Sequence, residues 1–271
     1  MAASLYLHFP LCEVKCTYCD FYSLPGEGHD ADAVLELLLR DCERNPPRNP
    51  PTVFMGGGTP TYHRPEALSR FLDRLDGLTG FRASASEVTV ECNPESLDRE
   101  KAEALREGGV DRLSIGVQSL RPEILEQFGR AHSVDQAFAA VDAARQAGFE
   151  RLSTDLIYAV PGQSAATWLE DLDRILDLGL EHLSAYNLTF EPGTALERQR
   201  RAGQVEPSDE LVELEMFWET RRHAAAAGLE AYEISNLARP GRSCEHNLAY
   251  WRGDDYAGFG PSAVSREGDQ R

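Results

Sequence analysis

Lysine is almost missing from this chain: Lys15 and Lys101 are the only two in 271 residues. Acidic residues outnumber basic ones 45 to 27, a net charge of −18. Such a surface repels nucleic acid unless a local basic groove compensates, and no basic block suggests one. That balance excludes nucleic acid as the expected partner. No apolar run approaches the length of a transmembrane helix. The N-terminus lacks a basic leader region and its apolar run breaks at Pro10, so no secretory signal is read there. No low-complexity tract or near-identical repeat occurs. The expected location is the cytoplasm, in a single large domain or a domain with an extension.

Cysteine is sparse, but it is not scattered. Three of the six sit in Cys12-Glu13-Val14-Lys15-Cys16-Thr17-Tyr18-Cys19. This C-x3-C-x2-C set follows Ser4 to Phe9, which alternates like a half-buried strand and is closed by Pro10. Clustered thiols fit a reduced compartment with a metal site better than a disulfide framework. Cys42, Cys92 and Cys244 are expected to be buried structural thiols. Thiolate selects zinc, copper(I) or an iron–sulfur cluster. A four-iron cluster normally takes four thiolates, so three would leave one iron open to a small molecule. Structural zinc would need a fourth ligand, such as His8 or Asp20, and no second Cys pair follows nearby. Metal-free thiols are the third reading.

Strand-like and helix-like segments then alternate six times in about 190 residues, which predicts parallel strands with crossover helices. Strands are expected from Ser4, Thr52, Glu87, Arg112, Arg151 and His182. Helices are expected over Asp30 to Arg44, from Pro65, over Asp98 to Glu107, after Pro122, from the Ser133/Gln136 capping box, and over Thr167 to Leu178. An open doubly wound sheet and a partial barrel both fit. The polar residues favour the barrel, because reacting groups of barrels gather at the C-terminal ends of the strands. Here the cysteine loop, a Gly-rich loop, Glu91, Gln118 and Thr189 fall at such ends, and Asp155 lies within the fifth strand. After Glu191 the alternation stops. Pro207 to Ala227 reads as an amphipathic helix with Leu211, Leu214, Phe217 and Trp218 inward. Ala231 to Leu237 reads as a strand, and Gly258 to Ala263 as a turn.

Gly56-Gly57-Gly58-Thr59-Pro60 follows a strand and lets backbone approach a ligand without Cβ atoms in the way, although a tight turn with no ligand explains three glycines as well. Glu91 suits a cationic ligand group, or is a rim carboxylate. Asp155 lies among apolar strand residues and is costly there unless paired or liganded. Arg130 is its structural partner candidate.

The spacing resembles the signature of the radical S-adenosylmethionine (SAM) superfamily, with Tyr18 as the aromatic before the last Cys. Gly56 to Thr61, Arg112 to Ser119 and Asp155 to Gln163 resemble the oxygen-independent coproporphyrinogen III oxidase family, which includes a haem-chaperone branch. The resemblance implies a six-unit (β/α)6 partial TIM barrel, an α/β fold, over residues 1–191, with an α+β extension over 192–271. It implies a [4Fe-4S] cluster on Cys12, Cys16 and Cys19. It places Tyr6, Gly57, Gly58, Thr59, Glu91, Gln118, Arg130 and Asp155 against SAM. Tyr18 and Thr189, in the cluster loop and at the end of the sixth strand, complete the expected cofactor-binding set. A further C-terminal domain is usual in the family.

Two features separate the branches. The oxidases carry a fourth Cys where this chain has Phe21. The run His246-Asn247-Leu248-Ala249-Tyr250-Trp251 matches the H-N-x-x-Y-W motif that the chaperone branch ties to haem. By that resemblance His246 is the expected haem-binding residue, with Tyr250 and Trp251 packing on the macrocycle. Without it, His246 reads as a satisfied structural histidine. The expected function is a haem chaperone that binds cluster, SAM and haem and passes haem to respiratory haem proteins. The alternative is the oxidative decarboxylase of porphyrin biosynthesis. Expected partners are haem or porphyrin and the haem-accepting proteins, with peripheral membrane association left open.

Overall fold

The computed structural model describes residues 3–271. Six parallel strands form its centre: β1 (Ser4–Phe9), β2 (Thr52–Gly57), β3 (Glu87–Cys92), β4 (Arg112–Gln118), β5 (Arg151–Tyr158) and β6 (His182–Asn187). They hydrogen-bond in chain order, each parallel to the last and joined to it by a helical crossover. The sheet is a partial barrel, open because its two edge strands do not pair among the described residues.

Six helices cover its outer face: α1 (Ala31–Glu43), α2 (Pro65–Thr79), α3 (Arg99–Glu107), α4 (Pro122–Phe128), α5 (Val134–Gln146) and α6 (Ala165–Leu176). Their starts are written in the sequence. Asp30, Asp98, Ser133 and Ser164 each accept a backbone N–H from the first turn, and Pro65 and Pro122 open helices where a missing N–H costs nothing. Gly80 and Gly129 end α2 and α4 in left-handed conformation. Along β1, Leu5, Leu7 and Phe9 turn outward to the helices and are fully buried. Leu68, Phe71, Leu72 and Leu75 of α2 join that same core. Each such side chain contributes about 1.5–3 kcal/mol of burial.

Three expectations are met only in part beyond β6. The helix α8 (Glu210–Ala226), which follows the short α7 (Ala195–Arg201), buries Met216, Thr220 and Ala224, while Leu211, Leu214 and Trp218 are 76, 50 and 60 % exposed. The small residues set its contact stripe, and the Trp168 indole donates to Thr220 Oγ1 at 2.8 Å across the α6–α8 seam. Bulky side chains there would push the helices apart, so three of the four residues expected inward point outward and only Phe217 packs against the core. The single strand expected over Ala231 to Leu237 is two short ones, β7 (Glu230–Ala231) and β8 (Asn236–Ala238): β8 adds antiparallel to β6, and β7 pairs antiparallel with β8 at the sheet edge. A strand the sequence did not suggest, β9 (Tyr256–Phe259), lies parallel to β1 and extends the other edge, and the expected turn follows it at Gly260–Ala263. The strand's small residues explain the misreading: a Cβ on Gly258 would meet the Val264 carbonyl oxygen at 2.2 Å, so the strand needs glycine where a returning loop crosses it.

Candidate functional site

Alternation in the strands sends polar side chains into the barrel lumen. At the C-terminal mouth they line a cavity of about 320 Å³. Its walls include Cys12, Cys16, Tyr18, Cys19, Gly57, Gly58, Thr59, Glu91, Gln118, Arg130, Asp155 and Thr189. The structure therefore brings together all but two of the residues singled out in the sequence. Tyr6 faces a neighbouring cleft, and His246 is packed beneath both. Thr189 lies one turn of loop beyond β6, which ends at Asn187, and not on the strand itself.

The cysteine loop is held from several sides. Thr17 N–H donates to the Phe128 carbonyl at 2.9 Å, and Leu196 N–H donates to the Thr17 carbonyl at 2.8 Å. Tyr18 packs edge-on against Phe128. Lys15 donates to Ser23 Oγ at 2.9 Å and to the Phe21 carbonyl, closing the loop on itself. The glycine loop is stitched to the same segment. Gly58 N–H donates to the Phe9 carbonyl at 2.7 Å and Thr59 N–H to the Leu11 carbonyl at 2.8 Å. A Cβ on Gly58 would stand 2.4 Å from Phe9 O and 2.9 Å from Leu11 O, both backbone atoms that cannot swing away. Glycine is thus needed here for backbone contact between the two loops.

All six cysteines are unpaired. Cys42, Cys92 and Cys244 are buried, as expected of structural thiols. Burial pushes the Cys12 and Cys19 thiols above their ordinary range, with Lys15 pulling the other way. Arg130 places Nη1 3.5 Å from Cys16 Sγ while its other nitrogen donates to Asn93 Oδ1 at 2.8 Å and to the Gly116 carbonyl at 2.7 Å. The direct Arg130–Asp155 pair considered from sequence does not form. Asp155 instead accepts from Ser114 Oγ at 3.1 Å, and burial raises its carboxyl above the usual range.

Glu91 reaches across to the glycine loop, accepting Gly57 N–H at 2.9 Å. Burial raises its pKa to about 7; the Gly57 amide opposes that shift and Asp155 adds to it. Gln118 sits at a bulge in β4 with φ of +66°, a conformation costly for a residue with a side chain. Its Oε1 is buried without a hydrogen-bond partner. A strained backbone holding an orphaned acceptor at a cavity wall is a site prepared for a ligand's donor.

These features test the fit of the implied cofactors. Among the described residues no three His, Cys, Asp or Glu side chains are gathered tightly enough for a single metal ion. The three thiols instead share one cavity, which suits a larger cage that each ligand holds by a separate corner. A negative floor of Glu91 and Asp155, beside an unpaired amide oxygen, suits a cationic nucleoside with free hydroxyls. The donor set fits both groups.

A second cleft of about 610 Å³ opens beside the first. Asp20 and Phe21 of the cysteine loop line both, so one wall is shared. The H-N-x-x-Y-W run forms α9 (Glu245–Arg252), which closes the lumen from below. Glu87 takes the backbone N–H groups of Glu245 and His246 at 3.0 and 3.1 Å and pairs with Arg151 at 2.8 Å. His246 is 1 % exposed. Its Nδ1 lies 2.8 Å from Thr52 Oγ1 and its Nε2 3.1 Å from Tyr250 Oη, and its ring stacks on Phe54. Burial lowers its pKa to about 4 against the pull of Glu87. Both His246 nitrogens are engaged and the ring is walled in, the packing of the satisfied structural histidine that the sequence also allowed. Tyr250 and Trp251 are 39 and 64 % exposed.

Sequence reasoning missed Asn93, Ser114 and Tyr186, which also line the first cavity. Asn93 is the notable omission: its Nδ2 donates to Thr59 Oγ1 at 2.9 Å while its Oδ1 holds Arg130. Its position two residues past Glu91, directly after β3, was the available signal.

Comparison with known proteins agrees with this geometry. The model of the radical SAM superfamily matches residues 6–175. A Bacillus subtilis protein named heme chaperone HemW is 35 % identical over 99 % of this chain and 72 % of its own length. A Mycobacterium tuberculosis protein of the same name is 38 % identical, over 96 % of this chain and 68 % of its own. The zebrafish (Danio rerio) mitochondrial radical S-adenosyl methionine domain-containing protein 1 is 36 % identical, and the chain spans 60 % of it. Among solved structures, the Escherichia coli coproporphyrinogen III oxidase HemN, a radical SAM enzyme, superposes with a TM-score of 0.84 at 27 % identity, over 99 % of this chain and 65 % of its own.

Proposed function

This chain belongs to the radical SAM superfamily, in the HemN-like family, and from that membership we propose that it is a haem chaperone of the HemW type. Membership implies a [4Fe-4S] cluster and SAM. In this reading Cys12, Cys16 and Cys19 hold the cluster, and SAM fills the rest of the cavity. When bound and reduced, such a cluster supplies one-electron cleavage of SAM. The chain's own residues do the positioning. Glu91 and Asp155 set negative charge where a cationic ligand is to lie. Gln118 offers its free oxygen to a hydroxyl. Arg130 offsets the charge of a thiolate at Cys16. The tied loops hold the three thiols and the glycine backbone at one wall of the cavity.

The observation that carries the chaperone reading is Phe21. It stands where the oxidases have a fourth Cys, is 58 % exposed, and forms the wall between the two clefts. An aromatic ring there suits an apolar macrocycle, whereas a thiol would suit a metal. The relatives named heme chaperone HemW at 35–38 % identity support the same reading. Haem transfer to respiratory haem proteins, in the cytoplasm, follows from it; among the described residues no helix is long and apolar enough to cross a membrane. Anaerobically reconstituted protein titrated with haem should develop a saturable Soret band, and no band would reject the proposal. The second reading, coproporphyrinogen III oxidation, draws on the HemN superposition. Carbon dioxide and vinyl product from coproporphyrinogen III under reducing conditions would establish it in place of the first.

A further inference from the structure

We infer that Asn93 is a positioning residue for the cluster: its amide clamps the Arg130 guanidinium against Cys16, and the clamped charge raises the cluster's reduction potential. This rests on the placement of a [4Fe-4S] cluster on Cys12, Cys16 and Cys19 proposed above and deepens it. Arg130 has five N–H donors and no acceptor. Its Nη2 donates to Asn93 Oδ1 at 2.8 Å and to the Gly116 carbonyl at 2.7 Å. Its Nη1 stands 3.5 Å from Cys16 Sγ. The remaining contact, from Nε to His132 Nδ1, is 3.4 Å long and holds the group weakly. Two short bonds therefore aim the guanidinium at the sulfur, and Asn93 makes the one that a side chain supplies.

The chemistry of its partners leaves Asn93 one orientation. Arginine only donates, so Oδ1 faces it, and Nδ2 is left to face Thr59 Oγ1, which it meets at 2.9 Å. One side chain thus ties Arg130, beside the cysteine loop, to Thr59 in the glycine loop. Gly116 leaves room for the clamp: a Cβ there would stand 3.1 Å from Asn93 Oδ1 and 3.5 Å from Arg130 Nη2. The Asn93 main chain is held separately, its carbonyl accepting the Ser96 N–H at 3.0 Å. A neutral amide suits this task better than a carboxylate would. Aspartate would accept from Arg130 equally well but would cancel its charge, whereas the amide holds the cation and leaves its field for the sulfur. A cluster gains negative charge on reduction, so a fixed cation with an N–H aimed at a ligand sulfur favours the reduced form.

The test is a redox titration of the reconstituted, SAM-free full chain as wild type, Asn93→Ala, Arg130→Gln and the double variant, with iron counted in each. Asn93→Ala should lower the midpoint potential by about 59 mV, a tenfold change in a one-electron equilibrium. Arg130→Gln should lower it at least as far. Adding Asn93→Ala to Arg130→Gln should change little more, because the clamp then has nothing to hold. Asn93→Leu fills the same space without polar atoms and takes the place of the alanine variant if that one loses iron; the same shift is expected. An unchanged potential in Asn93→Ala, or an equal drop in the Arg130→Gln background, would overturn the inference while leaving the cluster reading intact. Wild-type protein that takes up no four-iron cluster would overturn both.

Discussion

Glu91 gives the sharpest handle on the first cavity. Its carboxyl is buried, takes the Gly57 N–H at 2.9 Å, and has its pKa lifted to about 7. A ligand that brings an ammonium or sulfonium prefers the ionised form, so binding pulls that pKa down. The sign follows from linkage. Below pH 7 the free protein carries a proton on Glu91 that the ligand must displace; above it no proton is lost. With a bound-state pKa well under 6, only about one molecule in eleven is ready at pH 6, against about ten in eleven at pH 8. SAM affinity should therefore rise roughly tenfold between those values and then level off. Calorimetry in buffers of different ionisation enthalpy should show proton release near pH 6.5 and little at pH 8.5. Glu91→Gln should weaken binding at every pH and flatten the profile. Asp155, also raised by burial, is separated by Asp155→Asn. A flat wild-type profile, or a slope that survives in Glu91→Gln, would refute the placement of a cation at Glu91. Without ligand the same raised pKa works against the fold: stability should fall as pH rises from about 4.5 to about 7, and SAM should restore it.

Other consequences are as direct. Gly58→Ala puts a methyl 2.4 Å from the Phe9 carbonyl, so iron retained after reconstitution should drop sharply although far-ultraviolet dichroism changes little. Leu72→Ala in the core should cost about 2–5 kcal/mol in urea unfolding without altering SAM affinity per folded molecule. Asp20 and Phe21 wall both clefts, so SAM and haem should change each other's affinity by the same factor, and Phe21→Ala should shrink that coupling in a paired titration.

Much of this was legible in the residues because local chemistry and global fold agree. The C-x3-C-x2-C loop, the glycine run and the strand-end polar residues reach one mouth since each follows a parallel strand, and parallel strands end on the same side. Long-range packing was not legible. Leu211, Leu214 and Trp218 obey helical spacing yet face outward, because Met216, Thr220 and Ala224 allow α8 to lie closer to α6. The strand at Tyr256–Phe259 is short and Gly-rich and is specified by β1, some 250 residues away in the chain. For Arg130, the sequence suggested Asp155 as a partner, whereas its partners are Asn93, the Gly116 carbonyl and Cys16. At His246 a family motif pointed to an open ligand, and only the three-dimensional contacts show a ring bonded through both nitrogens.

The most direct test of the account concerns the open corner left by Cys12, Cys16 and Cys19. Iron and sulfide should be counted in anaerobically reconstituted protein, and the paramagnetic resonance of the reduced cluster recorded with and without SAM. About four irons and four sulfides per chain, with a spectrum that shifts on adding SAM, are predicted. One zinc per chain, or a cluster spectrum indifferent to SAM, would contradict it.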